Sequence, residues 1–188
     1  MLLKSFILQF VNCINLKTTS TLIKYANSRS FEKAKVGFNG VFNEKIRKVN
    51  TYELSNRNRL LTDCHWNNYL NFKIVNCINE YTKILNVSKY TGIIQHTNQI
   101  EILKYEKTNH YNFHVDGGEH FNRTFSTILF LNNDYKGGEL AFKTFEGDQE
   151  ITFEPIPGSL IIWPSNFLYP HSVKPVSEGI RYTIVAWA

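Results

Sequence analysis

The chain has 188 residues, 43% of them hydrophobic and 14% aromatic, and a formal net charge of +5. This length supports one domain with a proper hydrophobic core, and the composition excludes a disordered chain. Fourteen Phe and ten Tyr against a single Met suit β-rich packing better than a helical bundle.

The charge is unevenly spread. Residues 1–100 carry 14 Lys/Arg against 5 Asp/Glu, whereas residues 101–188 carry 7 against 11. A basic half can attract nucleic acid, but Lys33, Lys35, Lys45, Arg47, Lys48, Arg57 and Arg59 are dispersed, which reads as a solvated basic face. The early apolar stretch Phe6-Ile7-Leu8 is broken by Gln9 before Phe10-Val11, with no small-residue cleavage site nearby. Neither a signal peptide nor a membrane-spanning helix is therefore expected. Cys13, Cys64 and Cys77 fall outside metal-ligand spacing and are expected to be reduced, mostly buried thiols of a cytoplasmic protein.

In chain order, residues 18–29 and 63–86 predict helices, with Thr18 or Ser20 and then Asp63 as N-caps. In the second, Trp66, Tyr69, Leu70, Phe72, Ile74, Val75, Ile78 and Tyr81 make a broad apolar stripe suited to one face of a sheet. Lys73, Asn76, Glu80 and Lys83 are left for water. Short β-like runs follow at 99–105, 112–115, 125–131, 139–142, 149–153, 159–163 and 181–187. Asn132-Asn133-Asp134, Gly137-Gly138 and the stretch 155–158 punctuate the connections. The pattern predicts a mainly β fold with supporting helices. Its core would be a double-stranded β-helix (jelly roll) over residues 98–188, packed by a helix-rich region over 1–97 within a single domain.

His114-Val115-Asp116 is followed 55 positions later by His171, and Arg181 comes ten residues after that. Strand alternation puts His114 and Asp116 on one face. His171 would then complete two imidazoles and one carboxylate around a face of an octahedral metal, the triad associated with non-haem Fe(II) oxygenases. The neighbouring residues are Tyr105, Tyr111, Arg123, Ser126, Gly137-Gly138-Glu139-Leu140, Pro157-Gly158-Ser159, Trp163-Pro164-Ser165, Gly179 and Tyr182.

Over roughly residues 101–187, this ordering resembles the catalytic domain of the prolyl 4-hydroxylase-like Fe(II)/2-oxoglutarate-dependent dioxygenases. The resemblance implies that His114, Asp116 and His171 are the iron ligands, and that Arg181 pairs with the distal carboxylate of 2-oxoglutarate. It implies that Tyr105 and Ser126 supply hydroxyls to the same carboxylate, while strand alternation adds Thr183 as a further candidate beside Arg181. Tyr111 matches a pocket-lining tyrosine, and Arg123 a residue near the substrate groove. Thr108 stands where the family usually has Gly, which bears on turn geometry and not on activity. His65, His96, His110 and His120 match no ligand, and Gly117-Gly118-Glu119 is a candidate flexible lid.

The implied activity is hydroxylation of an unactivated C–H bond, with a peptidyl proline as the leading substrate and succinate and CO2 as co-products. Fe(II) is the implied metal, 2-oxoglutarate and O2 the co-substrates, and ascorbate a candidate reductant. A peptide or protein partner is favoured, with a free amino acid or small molecule as the alternative substrate, and neither nucleic acid nor membrane is expected. Alkylation-repair demethylases carry a second arginine where this chain has Trp187, which counts against a nucleic-acid substrate. A metal-free binding module would be expected to have lost a ligand or the basic anchor, and this chain keeps all four.

Overall fold

The computed structural model describes residues 3–37, 40–55, 60–118, 121–144 and 150–188. Its framework is two antiparallel sheets, of seven and five strands, consistent with a jelly roll. The larger sheet runs in the order β1 (Leu8–Phe10), β11 (Leu160–Pro164), β7 (Phe125–Phe130), β14 (Arg181–Trp187), β5 (Gln99–Tyr105), β4 (Asn50–Glu53) and β2 (Glu32–Lys33). The smaller runs β10 (Glu150–Thr152), β9 (Leu140–Lys143), β12 (His171–Val173), β6 (His110–His114) and β3 (Arg47–Lys48). β8 (Lys136–Gly137) and β13 (Val176–Glu178) form a separate ribbon.

Strand alternation divides the core in two. Ile100 and Ile102 of β5, Ile162 of β11 and Ile184 and Ala186 of β14 share one cluster with Leu22 and Ala26 of α1 (Leu16–Asn27). Leu70, Ile74, Ile78 and Tyr81 of α2 (Leu61–Ile84) lie in the same cluster. The opposite face of these strands presents Leu103, Tyr105, Ile161, Trp163 and Val185 to Leu140, Phe142 and Val173 of the smaller sheet. The space between the sheets is therefore a second core, and it is the layer that opens toward the site. A side chain buried in either layer contributes about 1.5–3 kcal/mol of transfer free energy.

Several boundaries differ from the sequence expectation for local reasons. The α1 cap is Asn15, whose Oδ1 accepts the Thr18 N–H at 2.8 Å, so Thr18 and Ser20 lie inside the helix. Asp63 also lies one turn inside α2, where its Oδ2 accepts the Leu60 N–H at 2.7 Å. This buried carboxylate further accepts the hydroxyls of Tyr52, at 3.0 Å, and Tyr25. Phe72 falls off the predicted stripe and is 61% exposed, because two helical steps from Leu70 turn it about 200° away.

The strands β1–β4, β8 and β12–β13, two to four residues long, are not legible in the sequence. The first four make the region before residue 98 more than a helical support, since β1 pairs with β11, β3 with β6 and β4 with β5. Gln149, the expected start of β10, lies outside the described residues. No helix among the described residues is long and apolar enough to cross a membrane.

Candidate active site

His114 ends β6 and His171 opens β12, directly opposite it in the register. Asp116 lies two residues past the strand end, so a bend and not strand alternation carries it. The Gly117 N–H fixes that bend by donating to the Ser165 carbonyl at 2.7 Å. A Cβ on Gly117 would come within 2.9 Å of the same oxygen, so this glycine serves a close backbone approach and not a hinge. Glu119 and His120, the rest of the expected lid and its neighbour, lie outside the described residues.

Asp116 Oδ1 is 3.6 Å from His114 Nε2, and Oδ2 is 3.3 Å from His171 Nε2. Among the described residues these three form the single group of histidine, cysteine and acidic side chains able to hold a metal, with ligand atoms within 4.8 Å of one another. His65, His96 and His110 stand outside it. The donor chemistry fits a divalent ion. His114 Nδ1 lies 2.9 Å from the Asn112 carbonyl and His171 Nδ1 3.1 Å from that of Tyr169. A carbonyl can only accept, so Nδ1 carries the hydrogen and Nε2 presents its lone pair. Burial and the neighbouring His171 hold His114 below its usual pKa, favouring the neutral ligand form. Burial alone would raise the Asp116 carboxyl, but His171 and His114 outweigh it and hold the group well below the usual carboxylate range.

The His171 ring is walled by Trp163 and Phe142, with centroids at 4.8 and 5.7 Å. Tyr111 stacks on His114 at 3.5 Å, although residues three apart on a regular strand face opposite ways. The register explains it: Val173 pairs with Tyr111 and His171 with His114, so two steps on β12 oppose three on β6. This bulge turns Tyr111 onto the ligand face. Burial pushes its phenol up to about 12.

Tyr111, His114, Asp116, Trp163 and His171 line a cavity of about 530 Å³ that also includes Arg47, Glu101, Tyr105, Phe121, Arg123 and Trp187. Arg47 is thus not part of a solvated face, and nothing in its sequence context signals the site. Arg57 and Arg59 lie outside the described residues. Arg123 is not a free surface cation: its guanidinium lies 3.8 Å from the Trp187 ring centroid and donates to the Asp116 carbonyl at 3.3 Å.

Arg181 is completely buried, with its guanidinium 4.9 Å from the Tyr105 ring and 5.6 Å from that of Phe130. Nη1 donates to Thr183 Oγ1 at 3.1 Å, while Nε and Nη2 have no partner. Such an uncompensated buried cation fits a site that receives a carboxylate. Gly138 makes room for it, because a Cβ there would lie 3.0 Å from Arg181 Cδ, at a φ of +68° that already favours glycine. Tyr135, which sequence reasoning missed, also borders the guanidinium. Burial pushes its phenol up and the Arg181 charge opposes the shift.

Ser126 is not brought to this anchor. It pairs with Trp187, at the other end of β14, roughly 20 Å along the strand from Arg181 at about 3.3 Å per residue. Its hydroxyl is engaged with Ser165 Oγ at 2.7 Å. Thr108, in the turn before β6, has φ +70°, the conformation for which the family's glycine is suited.

The fold and site together define a two-histidine, one-carboxylate centre on a jelly-roll framework. Residues 100–188 match the model of the 2OG-Fe(II) oxygenase superfamily. A PKHD-type hydroxylase from Synechococcus sp. is 37% identical over 103 residues, which cover 53% of this chain and 45% of that protein. The chain spans just under half the length of the curated relatives it matches.

Among solved structures, a Trichoplax adhaerens prolyl hydroxylase in complex with a hypoxia inducible factor peptide fragment aligns with a TM-score of 0.76 at 20% identity. The alignment covers 97% of this chain and 82% of that one. A Pseudomonas putida prolyl-4-hydroxylase aligns at 0.70 and 17%, covering 97% and 91%. Over residues 100–188 the chain is thus similar to the 2OG-Fe(II) oxygenase superfamily, and its fold is similar to that of prolyl hydroxylases.

Proposed function

We propose that the protein is an Fe(II)- and 2-oxoglutarate-dependent dioxygenase that hydroxylates an unactivated C–H bond, with a proline in a peptide or protein as the substrate. The observation that carries the reading is a three-ligand group facing a cavity of about 530 Å³, together with a buried arginine that has two unused donors and packs on Tyr105, one of the lining residues. Iron, when bound, supplies the oxidising chemistry, in which 2-oxoglutarate and O2 are converted to succinate and CO2 as one oxygen atom enters the substrate.

The chain's own residues have separate tasks. His114, Asp116 and His171 would hold the metal, with three donors that leave coordination for co-substrates. Arg181 holds the distal carboxylate of 2-oxoglutarate through Nε and Nη2, a planar fork suited to two parallel hydrogen bonds. Thr183 keeps that fork oriented through Nη1, and Tyr105 flanks it. Tyr111, stacked on His114 and lining the cavity, presents an aromatic wall to the substrate. The peptide complex of the Trichoplax protein supports a peptide in place of a free amino acid.

The test is succinate formation with Fe(II), 2-oxoglutarate and a panel of proline peptides, free proline and methylated oligonucleotides, followed by mass spectrometry. Gain of one oxygen on a peptidyl proline, lost in His171→Ala, is the expected result. Oxidation confined to another substrate class would overturn the proline assignment, and absence of both iron binding and succinate would overturn the dioxygenase reading.

A further inference from the structure

We propose that Arg47 and Arg123 form a carboxylate-binding subsite at the side of the cavity, so that the preferred substrate carries an acidic residue next to the carbon that is oxidised. The inference rests on the hydroxylase reading above and adds the substrate's charge. Arg47 comes from β3, outside the residues that match the superfamily, yet it lines the same cavity as His114 and Asp116. Its guanidinium lies 4.8 Å from the Tyr111 ring, and that ring stacks on His114 at 3.5 Å. One aromatic ring therefore separates Arg47 from a metal ligand.

The donors of Arg47 are incompletely used. Nη1 donates to the Lys35 carbonyl at 2.9 Å, but the buried Nε has no partner. Nη2 makes an ion pair with Glu101 Oε2 at 4.0 Å, too long for a hydrogen bond, so its N–H donors are left for a ligand. Glu101 is otherwise satisfied, since its two oxygens accept from Gln99 and Thr51 at 2.7 Å each. Arg123, held over Trp187, places a second cation on the same cavity.

The cavity lining thus holds three cations, Lys35, Arg47 and Arg123, against two carboxylates, Glu101 and Asp116. Asp116 is committed to the metal position, where a bound ion would offset its charge. The excess favours an anionic group, and the planar guanidinium fork matches a carboxylate. Tyr111, Phe121 and Trp187 provide apolar surface for the rest of the residue.

The probes are acetyl-Ala-Pro-Glu-Ala-amide, its Gln twin, and the same pair with Ala replacing Pro. Binding is measured calorimetrically on protein loaded with Mn(II) and 2-oxoglutarate, without turnover. The Glu peptides should bind about tenfold more tightly than the Gln peptides. Arg47→Gln should reduce that preference to below about threefold while the affinity for 2-oxoglutarate is unchanged, and Arg123→Gln should act in the same direction. Glu101→Gln, which removes a like charge, should increase the preference, and this variant keeps the test informative if Arg47→Gln does not fold.

Equal binding of Glu and Gln peptides, a preference that survives Arg47→Gln, or no binding at millimolar peptide would overturn the proposal. An Arg47-dependent acid preference equal in the Pro and Ala series, with no oxygen gained by proline under Fe(II), would instead overturn the proline assignment and leave the subsite standing.

Discussion

Replacing Arg181 by Met separates a structural arginine from one reserved for a ligand. Arg181→Met removes one hydrogen bond, from Nη1 to Thr183, and two ring contacts, to Tyr105 and Phe130. At about 1 kcal/mol each these sum to about 3 kcal/mol. The same change removes two buried, unpartnered donors, Nε and Nη2, whose desolvation costs about 1–3 kcal/mol each. The terms nearly cancel, so the ligand-free variant should melt within about 4 °C of the parent or above it. A partnered buried arginine would behave otherwise, losing about 3–5 kcal/mol, or roughly 6–20 °C.

With Mn(II) present, 2-oxoglutarate at a hundred times its Kd should stabilise the parent by about 2.7 kcal/mol, or roughly 5–11 °C. Loss of the charged contact should weaken 2-oxoglutarate by about 2–5 kcal/mol, some 30- to 4000-fold, and so cut this shift at the same concentration to at most about a third. Differential scanning fluorimetry with and without 2-oxoglutarate reads both quantities. A variant that keeps the ligand-induced shift, or that melts far below the parent without ligand, would refute the assignment.

Three further outcomes follow from named contacts. Asp63→Ala removes an acceptor shared by Tyr25, Tyr52 and the Leu60 N–H. Its expected cost is about 3 kcal/mol, a fall of roughly 6–12 °C in Tm with iron binding unchanged; a fall below 2 °C would contradict it. Thr108→Gly relieves the left-handed φ of +70° and should raise Tm by about 2–4 °C after allowing for unfolded-state entropy, whereas Thr108→Ala should not. Cys13→Ala should shift alkylation of Cys77 to higher pH, because the hydrogen bond from Cys13 is the main cause holding the Cys77 thiol down. The sign is fixed by the pair, since the same contact, together with burial, raises Cys13. Mass mapping after iodoacetamide at stepped pH measures it, and an unmoved Cys77 profile would refute the contact.

The parts of the site legible in the sequence are those set by distance along one strand or by chemistry that tolerates no substitute. Arg181 and Thr183 are two apart on β14 and meet as alternation requires. His114, Asp116 and His171 converge as their residue types and order suggested, although Asp116 reaches its place through a bend pinned at Gly117. What escaped depends on pairing between strands. Ser126 stands opposite Trp187 because of the β7–β14 register, which no local pattern reveals. Tyr111 is named through the resemblance alone, since strand alternation from His114 would turn it away, and it faces the site because of one extra residue in β6. Arg47 arrives on a two-residue strand, too short to announce itself, and it lines the cavity, as does Lys35, although the sequence reads both as solvated. The same applies to the fold: the long runs at β5 and β14 matched to the residue, whereas β2 and β3 are visible only once their neighbours are in place.

The strands contributed by the first half of the chain also determine what the second half can do alone. β1 covers one border of the larger sheet, β4 and β2 the other, and β3 the β6 border of the smaller sheet. Expressing residues 100–188 by themselves would bare the backbone of β11, β5 and β6 at once, two of which carry Tyr105 and His114. Open borders of this kind recruit strands from other molecules. The matched segment cut at its own limits would therefore self-associate through the strands that should frame His114, Asp116 and His171, and trimming from the front is a route to insoluble aggregate and not to a minimal folded unit.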